Sequence, residues 1–96
     1  MLNNKQKAYL RALANRERAV FQLGKDGISS NTVAGISDGL TANELLKFSL
    51  LKSCPLTVTE AAIEVASLTQ SEIVQVIGRT VVLYKRNPEG NIKLPR

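Results

Sequence analysis

The stretch Ala19-Val20-Phe21-Gln22-Leu23-Gly24-Lys25-Asp26-Gly27-Ile28-Ser29-Ser30 changes character twice within a few residues. Ala19 to Leu23 is β-prone and stops at Gly24, because a residue without a β-carbon ends a strand and enters backbone shapes that others avoid. Ser29 or Ser30 can then cap a helix in which Val33, Ile36 and Leu40 recur at core spacing, with Gly39 near its end. A strand, a glycine-flanked loop and a helix in that order predict a sheet covered by helices, and the sequence on either side extends the pattern.

Toward the N-terminus, Asn3 or Asn4 can cap a helix running to about Arg16 or Arg18. Leu2, Tyr9, Leu10 and Leu13 fall on one side of it at about 100° per residue. Lys7 and Arg11 fall on the other side, with Arg18 if the helix persists that far, so the outer face is basic. Toward the C-terminus, Leu46, Phe48 and Leu50 alternate with Leu45, Lys47 and Ser49, the period of a strand with one face more buried than the other. Pro55 breaks that strand. Thr57-Val58-Thr59-Glu60 has the form of a capping box, and Val58, Ala61, Ala62, Val65 and Leu68 make the inward stripe of a third helix. Ile73 to Ile77 and Val81 to Tyr84 are β-prone runs flanking Gly78-Arg79-Thr80, a hairpin or tight connection. Asn87-Pro88-Glu89-Gly90 reads as a turn. The expected order is α-β-α-β-α-β-β in an α/β fold of two layers, a four-stranded mixed sheet packed with helices, with residues 1–96 forming one domain.

Composition narrows the class of function. The hydrophobic share of 44% and charged share of 22% are those of an ordinary globular chain. Apolar runs are far too short to span a bilayer, which predicts a cytoplasmic protein. With one cysteine, Cys54, and no histidine, neither a disulfide framework nor a thiolate metal cluster is available, and no metal or other cofactor is expected. The carboxylates Asp26, Asp38, Glu44, Glu60, Glu64 and Glu72 fit loops, caps and helix surfaces, with no pairing suited to acid-base chemistry. Ser29 and Ser30 are explained by capping. An enzyme is therefore not expected.

The net charge of +5 is unevenly spread. Residues 1–25 hold six basic side chains against Glu17, residues 26–78 hold Lys47 and Lys52 against six acids, and residues 79–96 hold five basic against Glu89. Folding that joins the two ends to the early loop would make a basic surface, whose partner class charge alone does not decide. The loop is more informative. Gly24 and Gly27 allow close backbone approach, the first amides of the following helix are unpaired at the positive end of its dipole, and Lys25 adds a cation. KH domains use a GXXG loop in this way to hold a single strand by its backbone. Asp26 opposes a phosphate unless it turns outward or caps the helix. The candidate RNA-contacting residues are Gly24, Lys25, Asp26 and Gly27, joined by Lys7 and Arg11 on the first helix and by Arg79, Lys85 and Arg86 near the last strands. Lys52, in the acid-richer middle, is expected to stand apart from them.

Several further stretches have a familiar order: Lys5-Gln6-Lys7, Tyr9-Leu10-Arg11-Ala12-Leu13-Ala14, Phe21 to Ile28, Glu44-Leu45-Leu46-Lys47-Phe48, Val74 to Arg86, and Ile92-Lys93-Leu94-Pro95. In these the chain closely resembles the CRM domain, the YhbY-like family of RNA-binding proteins, along nearly its whole length. It departs at Asn15, where the family usually has His, at Arg18-Ala19, where a Pro usually precedes the first strand, and at Ser49, where a second basic residue is common. The resemblance implies a fold like the C-terminal domain of translation initiation factor three. It also implies a single-domain bacterial form that associates with ribosomal RNA in precursors of the large ribosomal subunit and assists ribosome assembly. A monomer is expected. A basic face would equally serve a protein-interaction module docking on ribosomal proteins or assembly factors.

Overall fold

The computed structural model describes residues 2–87 together with Ile92 and Leu94; the turn expected over Asn87 to Gly90 and the matches at Lys93 and Pro95 lie wholly or partly outside the described residues. Helix α1 spans Asn4–Ala14, β1 Phe21–Leu23, α2 Ser30–Asn43, β2 Leu45–Leu50, α3 Val58–Thr69, β3 Glu72–Ile77 and β4 Thr80–Tyr84. This is the expected order.

Helix α1 starts at a full capping box: Asn3 Oδ1 accepts the Gln6 amide at 2.8 Å while Gln6 Oε1 accepts the Asn3 amide at 3.0 Å. It ends earlier than expected, so Arg16 and Arg18 lie beyond it. Lys47 Nζ, rising from the sheet, donates to the carbonyls of Ala14 and Glu17 at 3.4 Å each, while the Arg16 and Glu17 amides turn back to Leu13 and Ala14 in a tighter turn. The inward stripe also differs at Tyr9, which is 41% exposed. Leu10, Leu13 and Ala14 occupy the spacing that faces the sheet, and Tyr9, about 100° around the helix from Leu10, is left on the flank.

Ser29 caps α2, its Oγ accepting the Thr32 amide at 3.2 Å. Thr57 and Glu60 make the expected reciprocal box at α3. Leu68, expected in the α3 stripe, is 55% exposed; Ala62, Val65, Ala66 and Thr69 hold the inward positions instead, and Thr69 satisfies its hydroxyl on the Val65 carbonyl at 2.7 Å. Gly78 has φ +55°, which a two-residue hairpin turn of the II′ kind requires at its first central position.

The sheet order is β1-β2-β4-β3, with β1 parallel to β2 and the other pairs antiparallel. One face packs Leu23, Leu46, Phe48, Leu50, Val81 and Leu83 against Ile36 and Leu40 of α2 and Ala61, Ala62 and Val65 of α3. Fully burying such side chains is worth roughly 1.5–3 kcal/mol each, so this layer dominates stability. The layering is fuller than two. Leu45, Val74, Val82 and Tyr84 on the opposite face pack with Leu2, Leu10, Leu13 and Ala14, so α1 forms a cover on the second side. Val74 is an extra residue in β3, because Ile73 pairs with Leu83 and Gln75 already with Val82.

Candidate nucleic-acid interface

The sheet topology gathers three connections at one end. Since β1 and β2 are parallel, Gly24–Gly27 and the segment after Leu50 leave from the same end of the sheet, and the Leu51 amide donates to the Leu23 carbonyl at 2.8 Å. Since β4 runs antiparallel to β2, the Gly78-Arg79 turn lies there as well, and the Leu50 amide donates to the Arg79 carbonyl at 2.8 Å. Lys25, Lys52 and Arg79 are all exposed on these connections. Adjacent strands lie about 4.8 Å apart, so the three cations follow the strand order β1, β2, β4 across the end of the sheet. Lys52, remote from the basic segments in sequence, is beside the loop. Helices α2 and α3 both begin at this end, so two positive dipole termini support the cations.

The loop itself is closed by a hydrogen bond from the Gly27 amide to the Gly24 carbonyl at 2.9 Å. That bond occupies the Gly27 amide, and Ser29 occupies that of Thr32, so among the described residues the Ser30 and Asn31 amides of the first turn are left to meet an anion. The acids here are Asp26, exposed in the loop, and Glu60. The Glu60 carboxylate accepts the Thr57 amide at 3.0 Å, and hydrogen bonding with Thr57, from its backbone first and then its side chain, holds the Glu60 pKa below the usual carboxylate value.

The two glycines differ. Gly27 has φ +63°, so alanine there is expected to cost about 1–2 kcal/mol. A β-carbon on Gly24 would meet only Leu51 Cδ1 at 3.6 Å and Ser53 Oγ at 3.8 Å, ordinary contacts, and its φ is unremarkable. Gly24→Ala is therefore expected to melt within about 0.5 kcal/mol of the parent while Gly27→Ala is measurably less stable, as urea unfolding would show. Any loss of ligand binding in Gly24→Ala then reports approach from outside.

The remaining candidates do not join this group. Lys85 and Arg86 follow β4 at the opposite end, about 17 Å away along the strand by its rise, and line a cleft of about 360 Å³ with Glu72, Gln6 and Tyr84. Lys7 is half-buried near that end of α1, and Arg11, exposed, lies in its last turn where a cation also favours the helix dipole. Arg16 and Arg18, past the end of α1, border a cleft of about 670 Å³ with Leu45 and Lys47. The sequence carries no periodic signal for Lys52 or Arg16, and the helical spacing that groups Arg18 with Lys7 and Arg11 fails because α1 stops at Ala14; strand pairing and a helix exit place these residues instead.

Similar proteins bear on this geometry. Residues 2–85 match the CRS1/YhbY (CRM) domain. A Bacillus subtilis protein named "Probable RNA-binding protein YqeI" is 40% identical, the match covering 99% of this chain and all of the relative, and a Haemophilus influenzae protein named "RNA-binding protein" is 33% identical over 99% of this chain and 96% of its own. The solution structure of a Staphylococcus aureus protein described as an RNA-binding candidate superposes with a TM-score of 0.83 at 42% identity, covering 99% of this chain and 100% of that one. On this evidence the chain belongs to the CRS1/YhbY (CRM) domain family.

Proposed function

We propose that the chain binds RNA at the loop end of its sheet, and that the RNA is ribosomal RNA in precursors of the large subunit, whose assembly it assists. The observation that carries the reading is the convergence of Lys25, Lys52 and Arg79 with the starts of α2 and α3 at one end. Relatives named as RNA-binding proteins support the nucleic-acid half of it; the ribosomal half rests on the family resemblance. Phosphates would accept from the Ser30 and Asn31 amides and pair with the three cations, contacts that position a strand without reading its sequence. The reading takes the chain as a cytoplasmic, non-catalytic monomer that occupies its RNA until maturation buries the site.

Crosslinking in cells followed by sequencing of the attached RNA tests this. The expected result is enrichment of large-subunit ribosomal RNA, with the protein sedimenting with incomplete large subunits. Recovery only with polysomes would overturn the assembly role, and crosslinks to assembly proteins without RNA would replace the reading with one of protein docking.

A further inference from the structure

On the face of the sheet that carries α1, one row of side chains has no helix over it among the described residues. Gln22 pairs with Ser49, Ser49 with Thr80, and Thr80 with Ile77, so a single register line crosses all four strands. Their neighbours Leu23, Phe48, Leu50 and Val81 point into the α2–α3 core, and by strand alternation the row points the other way. Helix α1 stops at Ala14, held there by Lys47, and covers only the far part of this face. Gln22 is exposed, Ile77 is 59% exposed, and Ser49 and Thr80 are half-buried. Between the row and the end of α1 lies a shallow depression of about 190 Å³ lined by Asn15, Lys47, Gln75, Ile77, Thr80 and Val82.

We propose that Gln22, Ser49, Thr80 and Ile77 form a base-contacting surface for single-stranded RNA; the inference rests on the phosphate-binding reading of the adjoining loops. Continuity supports it: Gln22 stands two residues before Gly24 on the same strand, and Thr80 directly follows Arg79, so a strand held by its phosphates at the sheet end lays its bases toward this row. The chemistry fits. An amide and two hydroxyls donate to and accept from base edges, Ile77 offers apolar contact, and no acid belongs to the row. Four strands span about 14 Å, room for a few nucleotides. With no aromatic side chain in the row, contact is by hydrogen bonds and apolar packing rather than stacking, which distinguishes this surface from aromatic sheet platforms.

The test uses the full chain and a short mixed-sequence single-stranded RNA containing 4-thiouridine. Crosslinked peptides from the unaltered protein are expected to contain β1 and the β3–β4 hairpin. Replacing Gln22→Ala and Ile77→Ala together, with melting unchanged, is expected to weaken binding roughly tenfold without altering its salt dependence, since no phosphate contact is lost. Full affinity in that variant, crosslinks confined to α2, α3 or the Lys85 end, or a change in self-association in place of RNA affinity would overturn the proposal. If Lys25 and Lys52 reversals weaken binding while the row variant does not, this inference fails and the loop-end reading stands; if the parent binds no RNA, both fail.

Discussion

Reversing Lys25, Lys52 and Arg79 together to glutamate is expected to reduce RNA affinity by a hundredfold or more. Each exposed cation stands on one of three connections that backbone hydrogen bonds bring to the same end of the sheet. A charge-assisted phosphate contact is worth about 1.5–3 kcal/mol, or at least about tenfold each, before the repulsion that glutamate adds. The fold should be indifferent, because no hydrogen bond or ion pair of these side chains contributes to it among the described residues. Reversing Lys85 and Arg86 instead places the change at the far end, beside Glu72, where only the long-range field is altered. Anisotropy titrations of the two variants separate one concentrated site from diffuse basicity: equal losses would mean that no end of the sheet is special.

The second large effect concerns stability. Glu44 ends α2 with φ 66° and is only 2% exposed. Its carboxylate accepts from the Tyr84 hydroxyl at 3.2 Å and the Ile92 amide at 3.1 Å, and its backbone carbonyl accepts from the Lys85 amide at 2.8 Å. Glu44→Ala removes both carboxylate bonds and strands two donors, each costing about 1–3 kcal/mol. A loss of about 3 kcal/mol is expected, lowering the melting temperature by roughly 10–20 °C in a domain of this size. Glu44→Gly should recover about 1 kcal/mol of that, since glycine relieves the left-handed backbone while lacking the carboxylate too. If alanine and glycine melt alike, strain at this position is absent; if both match the parent, the buried carboxylate is not a tether.

The same pair has a pH signature. Burial, first, and then the Glu44 charge and hydrogen bond raise the Tyr84 pKa above 10.0. A proton held more tightly in the folded state stabilises it fully below the unfolded value and is lost as pH climbs through the folded one. Stability is therefore expected to be level up to about pH 9 and to decline above 10, with Tyr84→Phe flattening that decline.

Much of this was legible in local chemistry. The Thr57–Glu60 box, the alternation of Leu46, Phe48 and Leu50, and the glycine-bounded loop each follow from neighbours a few residues apart, and all three stand where expected. What local chemistry does not carry is pairing at a distance. Lys52 lies in the acid-richer middle of the sequence but beside the glycine loop in space because β1 and β2 are parallel, and Lys85 departs from the loop because β4 is antiparallel to both. Likewise α1 is shorter than its local pattern predicts, and the carbonyl at its end is met by Lys47, more than thirty residues away. Glu44 looked like a surface acid; only the tertiary approach of Tyr84 and Ile92 makes it a buried acceptor.

On the proposed reading, a small set of cations at one end of the sheet neutralises the phosphates of a bound strand. Fluorescence anisotropy with a single-stranded RNA, repeated across a salt series, measures that number: for about three phosphates the logarithm of affinity should fall with the logarithm of salt at a slope near −2, and the Lys25→Glu variant should flatten it by about one contact. A folded protein that fails to bind at low salt, or binds with no salt dependence, would contradict the account.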